Sequence, residues 1–252
     1  MADFSLLKNT AGLVLFTLLL SPTLPIGTAS AQVGAEKIPI QPSGKTTEVV
    51  ERDGNIYSID KSGKESPLTS SGLDFEPSLS TDQKWVTFVR ENPKIMLSPH
   101  VADCPDGVEC LSPAREIRVM ASDGSHDPRL VVSRENFKNG ILENFMKPTF
   151  SNDNSEIYFL APCRVTEHAI YAVDVQDSSV RFVTGGSSLD IVRSGFWAGH
   201  IIVQKHKYFL GGGSYDWNWL VSPEGRTVAI PLGENRTDLT DWSPSATIPY
   251  LP

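Results

Sequence analysis

The sequence predicts an all-β protein made of short antiparallel strands that recur in similar sheets. Three observations carry this reading. First, a motif repeats: PSLSTDQKWVTFVR from Pro77 returns as PTFSNDNSEIYFLA from Pro148, each reading Pro-x-apolar-Ser-x-Asp and then an apolar-x-Phe strand. A weaker copy, WLVSPEGRTVAIPL, puts Ser222 in the place of Ser80 and Ser151, at two equal spacings of 71 residues. Second, past residue 31 the apolar residues recur at strand spacing, and only a short turn near 133–139 suggests helix. Third, 19 Gly and 18 Pro are spread along the chain, so turns are frequent.

The N-terminus is read as a signal peptide over residues 1–31. Lys8 precedes an apolar run from Ala11 to Leu20, and Ala29-Ser30-Ala31 forms a small-x-small cleavage site ahead of Gln32. The run is shorter than the ~20 residues that span a bilayer, so no stable span is expected after its removal. This predicts a periplasmic or secreted protein. Asp3 and Lys8 cancel, so the exported chain keeps the net charge of −8. With no Lys/Arg cluster, it is poorly suited to nucleic acid. Residues 32–47, rich in Pro and Gly, read as an extended arm, and residues 48–252 as the folded domain. Gly44-Lys45-Thr46 is no phosphate loop, because Pro39 stands where that loop needs Gly.

Each element follows from local chemistry. Ile56 to Ile59, a Lys61-Ser62-Gly63 turn and the approach to Leu68 read as two short strands, and Trp85 to Val89 as a third. Ile117 to Met120, the Asp123-Gly124 turn and Leu130 to Val132 repeat that design; Ile170 to Val173 and Val180 to Val183 repeat it again. Ile201 to Val203 and Trp219 to Val221 complete the strands, while Asn92 to Pro113 reads as an inserted loop. A small antiparallel sheet cannot bury both faces alone, and stacking like sheets around an axis covers them. The expected architecture is therefore β-propeller-like, small, partial or degenerate, with about 4–5 blades of short antiparallel strands. About 40–45 residues per blade would allow roughly five blades in the exported chain, of which three to four can be marked.

These residues resemble the blade repeat of TolB-type propellers, written Ile-Tyr-x-x-Asp, a Gly turn, Leu-Thr, then Pro-x-Trp-Ser-Pro-Asp-Gly-Lys and an apolar-Ala-Phe strand. Ile56, Tyr57, Asp60, Gly63, Leu68 and Thr69 match its first half; Pro77, Ser80, Asp82, Lys84, Val86 and Phe88 match its second. Pro148, Ser151, Asp153, Ile157 and Phe159 carry the second copy, and Ile170, Tyr171, Asp174, Val183 and Thr184 the first half of another. The family's Trp is replaced by Leu79 and Phe150. The resemblance implies an exported propeller.

Chemistry-bearing motifs are few. No Gly-x-Ser-x-Gly elbow is present, and the five His lack metal-pair spacing, so neither a hydrolase triad, a metal nor a cofactor is expected. Asp74, Glu76, Asp82 and Asp153 read as turn-supporting carboxylates. Cys104 and Cys110 bracket a Pro- and Gly-containing segment and form a candidate disulfide, leaving Cys163 over. One stretch departs from the blade pattern, Gln204 to Val221, where three glycines adjoin His206, Tyr215, Asp216, Trp217 and Trp219. Those five are the candidate ligand-binding residues; Trp217 and Trp219, two apart on a strand, either face a ligand or pack between blades. The expected function is non-catalytic binding of a protein or cell-envelope ligand on a propeller scaffold. The alternative is a carbohydrate-active enzyme, a polysaccharide lyase or glycosidase. A third expectation, from the short blade count, is pairing with another chain.

Overall fold

A computed structural model describes residues 45–97, 111–137, 142–162, 168–225 and 230–233, all within one unit, Ala35–Pro252. The signal peptide, Cys104, Cys110 and Cys163 lie outside the described residues.

The described residues run through fifteen strands in four antiparallel sheets, as the repeat predicts. Sheet 1 holds β1 (Thr46–Arg52), β2 (Asn55–Asp60) and β3 (Glu65–Pro67). Sheet 2 holds β4 (Asp74–Leu79), β5 (Trp85–Leu97), β6 (Ser112–Ala121) and β7 (Arg129–Val132). Sheet 3 holds β8 (Met146–Phe150), β9 (Glu156–Pro162), β10 (His168–Asp174) and β11 (Val180–Gly185). Sheet 4 holds β12 (Asp190–Ile191), β13 (Ile201–Tyr208), β14 (Ser214–Val221) and β15 (Ile230–Gly233). Each is a meander in which consecutive strands pair. A single turn of 3-10 helix, Arg134–Asn136, is capped by the Ser133 side chain accepting from the Glu135 N–H.

The sheets stack face to face in chain order because their strands alternate. On β9, Ile157, Phe159 and Ala161 join Ile117, Val119, Val131 and Val132 of sheet 2, together with Phe145 and Phe150. The intervening Tyr158 and Leu160 point the other way, to Ile201, Val203 and Val221 of sheet 4. Ile56 of sheet 1 packs on Val86, Phe88 and Met120 of sheet 2. Such a series of meanders, each covering its neighbour's face, is β-propeller-like.

The repeated motif occupies one structural place in sheets 2 and 3. Ser80 turns β4 into β5 and Ser151 turns β8 into β9, each with its Oγ accepting from the next strand, from Trp85 N at 2.9 Å and Glu156 N at 3.0 Å. Ser222 sits elsewhere, after β14, between the third and fourth strands of sheet 4. Its four-residue turn closes in the same way, Gly225 N to Ser222 O, which is why it reads as a copy. The true spacing from β4 to β8 is one sheet, stretched by the length of β5 and β6 and by residues 133–145.

Several boundaries differ from expectation. β1 starts inside the segment read as an arm, and the shoulders of the expected 92–113 loop are strand, because β5 runs to Leu97 and β6 starts at Ser112. The first strands β4 and β8 carry Pro77 and Pro148 in mid-strand, where ladder pairing breaks between Phe75 and Ser78 and between Met146 and Thr149. At a bulge the missing N–H costs little.

Candidate functional site

β13 and β14 form a hairpin that outgrows its sheet. Register runs from Ile201↔Val221 to Tyr208↔Ser214. β12 pairs only with Ile201 and Ile202, and β15 only with Asn218, Trp219 and Leu220. From Lys205 to Tyr208 and Ser214 to Trp217 the two strands therefore pair with each other alone among the described residues. The expected strand at Ile201 to Val203 thus extends five residues further, and the one at Trp219 begins five earlier.

The tip, Phe209 to Gly213, closes by Phe209 N to Gly213 O at 3.0 Å. Gly212 and Gly213 have φ of +97° and +85°, the left-handed region that only glycine adopts cheaply, which accounts for the glycine run. The tip is apolar and bare: Tyr208, Phe209 and Leu210 are all exposed. Isolated apolar residues at a surface are ordinary, but three in succession on a projecting ribbon form a contact patch.

The five candidate residues divide between the two faces of this ribbon. On one, Trp219 is part-buried against the core shared by sheets 3 and 4. Trp217 stacks on Tyr215 with centroids 4.7 Å apart, and Tyr215 meets Phe209 at 4.8 Å, making an aromatic row that runs outward from the core to the tip. On the other face His206 Nδ1 lies 2.8 Å from Asp216 Oδ1, across a directly opposed pair, and the His206 ring meets Tyr208. The His–Asp couple and the tryptophans therefore do not converge on one pocket. Trp219 packs against the core, and Trp217 lies further out on the ribbon against Tyr215.

A cleft of ≈ 220 Å3 opens at the ribbon's base, lined by His168, Gly185, Gly186, Ser187, Lys205, His206 and Lys207. Lys205 donates from Nζ to Thr184 Oγ1 at 2.8 Å. Burial, with Lys207 beside it, holds the Lys205 ammonium below the usual lysine range. The cleft is thus basic and suits an anionic group.

A larger cleft of ≈ 740 Å3 lies at the opposite end of sheet 4, lined by Ser151, Asn152, Asp153, Glu156, Tyr158, Arg181, Pro223 and Glu224. No motif announces it. Arg181 reaches across β10 to Glu156 in a bidentate pair of 2.8 and 2.6 Å, over Ala172, which lies between Tyr158 and Arg181 in register. Alanine there leaves room for the long side chain. Tyr158 donates to Glu156 Oε2 at 3.2 Å, and burial, then the Glu156 charge, push its phenol well above the ordinary range. The Ser151 hydroxyl and Ser155 amide hold Asp153 below the usual carboxylate range. A glycosidase needs one carboxyl kept protonated as an acid, and the hydrogen bonds to Asp153 act in the opposite direction on that carboxyl.

Asp82 and Asp153 sit in the turns read for them, accepting from Ser80 Oγ and Ser151 Oγ at 2.6 Å each. Glu76, also expected in a turn, lies instead in β4 and accepts from Lys147 N of β8 in the next sheet at 2.5 Å. Asp74 does more, pairing with Arg90 inside the fold. Among the described residues no group of three His, Cys, Asp or Glu is placed to hold a metal, and no helix is long and apolar enough to cross a membrane.

Comparison with known proteins gives structural likeness at low identity. No protein-family model matches the chain, and no curated protein sequence does. Among solved structures, the chain is similar to TolB from Acinetobacter baumannii at 18% identity and a TM-score of 0.45, over 71% of this chain and 37% of that one. It is similar to Porphyromonas gingivalis dipeptidyl peptidase 4 at 13% identity and a TM-score of 0.47, over 79% and 32%. An oligogalacturonate lyase from Vibrio parahaemolyticus shows 9% identity and a TM-score of 0.35, over 75% and 62%. The chain spans about a third of the length of the first two.

Proposed function

We propose that this chain is an exported, non-catalytic propeller-like binding protein that engages a protein or cell-envelope ligand through the β13–β14 ribbon. The observation that carries the reading is the ribbon itself, a rigid base with Trp219 in the core and an exposed tip of Tyr208, Phe209 and Leu210. Exposed apolar side chains held on a preorganised hairpin lose little conformational freedom on binding, the property expected of an interface anchor. The signal-like N-terminus supports placement in the periplasm or outside the cell.

The test uses a photo-crosslinking side chain at position 209 in the exporting cell, followed by titration of the captured protein. Phe209→Ser with Leu210→Ser weakens that binding by about tenfold or more while thermal stability stays unchanged, because both side chains are already in water. Undiminished affinity in the double variant would sink the reading.

The larger cleft favours a second reading, a carbohydrate-active enzyme, because it offers carboxylates, a Tyr and an Arg in a space of oligosaccharide size. That reading requires new reducing or unsaturated ends on incubation with neutral and uronate oligosaccharides. It further requires that Glu156→Gln abolish their release.

A further inference from the structure

The β13–β14 ribbon orders its side chains along its length as well as between two faces. Residues directly opposed in an antiparallel pair point the same way. Register therefore puts Val203, Lys205 and Lys207 of β13 on the face of Trp219, Trp217 and Tyr215 of β14. That face looks toward sheet 3: Val203 lies in the core shared with Tyr158, Leu160 and Ile170, and Lys205 Nζ donates to Thr184 of β11. Travelling outward along it, the two cations lie beside the aromatic row, and Phe209 and Leu210 end the ribbon.

The outer part of the ribbon carries no charge. From Tyr208 to Tyr215 no residue is Asp, Glu, Lys, Arg or His. The three glycines present no side chain, and two tip amides are satisfied within the tip, Phe209 N by Gly213 O and Gly212 N by Phe209 O. Backbone groups bonded internally are what an apolar apex needs before it can leave water. Behind the apex the charge is unbalanced. Among the described residues no carboxylate lies in salt-bridge range of Lys205 or Lys207. The one acid of the ribbon, Asp216, is on the other face and bonded to His206. In a protein of net charge −8, this lysine pair stands out as a place for an anion from elsewhere.

We propose that the ribbon is an interfacial membrane anchor: Phe209 and Leu210 enter the acyl boundary of an anionic leaflet, Tyr208, Tyr215 and Trp217 lie among the headgroups, and Lys207, with Lys205 behind it, meets lipid phosphate. This rests on the reading of the ribbon as the binding element and names its cell-envelope ligand as lipid. The depths agree. Three strand steps of ~3.3 Å put Lys207 about 10 Å behind Leu210, and interfacial elements sink about 5–10 Å into the headgroup and acyl boundary. Tyr and Trp favour the headgroup level, and a lysine stem lets its ammonium reach phosphate. The acidic body stays back. Pairing with the flanking strands stops at Ile202 on one side and at Asn218, opposite Gln204, on the other. The rest of sheet 4 thus begins about 10 Å behind Lys207, beyond the Debye length of ~8 Å at physiological salt. A bilayer asks for no complementary shape, whereas a stable protein interface covers about 800 Å2 per partner, which three tip side chains alone do not supply.

The test is flotation of the full exported chain with phosphatidylcholine vesicles, either pure or containing about one-quarter phosphatidylglycerol, at low salt. The expected result is tighter binding to the mixed vesicles. Lys207→Gln, at an exposed position, weakens that binding about fivefold, the worth of one lysine near an anionic surface, and the difference shrinks at high salt. Phe209→Ser with Leu210→Ser weakens it about tenfold or more at any salt, because apolar burial is not screened. Depth is read with Leu210→Trp, whose added fluorescence is quenched by bromine placed high on the acyl chains. Binding without that quenching would mean adsorption by charge alone and would overturn the proposal, as would equal affinity for the two vesicles or tip variants that bind like wild type. Should the chain ignore vesicles while a crosslinker at position 209 captures a protein, the lipid assignment falls and the ribbon remains the binding element. Should the tip variants alter binding to neither vesicle nor protein, both readings fall.

Discussion

At the fourth position of the repeated turn, where the resembled pattern has Gly, this chain has Gln83 and Asn154, both left-handed at φ +61° and +62°. A side chain with a Cβ pays for that conformation, and Asn pays less than Gln because its short amide bonds locally. Asn154 has a second role: its Oδ1 accepts from Thr81 N and Thr81 Oγ1 at 2.9 Å each, tying the turn of sheet 3 to that of sheet 2. The two positions should therefore respond oppositely to glycine. Gln83→Gly is expected to raise stability by about 0.5–1 kcal/mol by relieving backbone strain. Asn154→Gly is expected to lose about 1 kcal/mol with the two hydrogen bonds. Denaturant midpoints of the two variants check this. At this scale the sequence was informative about turns, since Ser80, Asp82, Ser151 and Asp153 do what their residue types suggest. It was silent about Asn154, because a bond between turns 73 residues apart has no local signature.

Among the elements, β4 shows why strand content outran strand prediction. Pro77 interrupts its alternation, and the bulge that accommodates the proline comes from pairing with β5, which no window of the chain contains. The same holds for β8, and for β12, whose two residues are too few to make a pattern. β4 is pinned at its start by Asp74, whose side chain is 0% exposed and takes Arg90 at 2.5 and 2.7 Å and Ser71 at 2.7 Å. Burial alone would raise its pKa, but the hydrogen bonds from Arg90, Ser71 and Thr69 outweigh burial and hold the carboxyl below its usual value. A carboxylate whose folded pKa is depressed adds stability that is fully present above the unfolded value, about 3.9, and is lost as pH falls through the folded one. Asp74→Asn is expected to cost about 3 kcal/mol near neutrality, since it leaves Arg90 part-buried without its partner. The variant should also lose less stability than wild type on acidification below pH ~4. Urea unfolding at neutral and acid pH measures both effects.

For the whole molecule, the repeat made the stacking of sheets legible, but the site only in outline. The stretch 204–219 stood out by composition, and it is indeed the ribbon that leaves the sheet. Its division into a His206–Asp216 face and an aromatic face needed the register, and the cleft around Glu156 and Arg181 needed three strands side by side with Ala172 between them. A stack in which each sheet touches only its neighbours is close to one-dimensional, so its stability is a sum of sheet and interface contributions and its ends open first. The interface between sheets 2 and 3 is the most aromatic, with Phe137, Phe145, Phe159 and Tyr171 in successive ring contacts of 5.5–5.9 Å. Amides of β6 and β9 should exchange only through global unfolding, those of β13 and β14 through a smaller opening, and those of β1 fastest. Phe159→Ala, which removes a fully buried ring from the central interface, should cost about 3–5 kcal/mol and lower protection in every sheet. Val192→Ala, in the outward cluster of sheet 4, should lower protection in β13 and β14 alone. Equal losses in all four sheets for both variants would mean that the stack unfolds as one cooperative body, and that its ends owe their order to more than the neighbouring sheet.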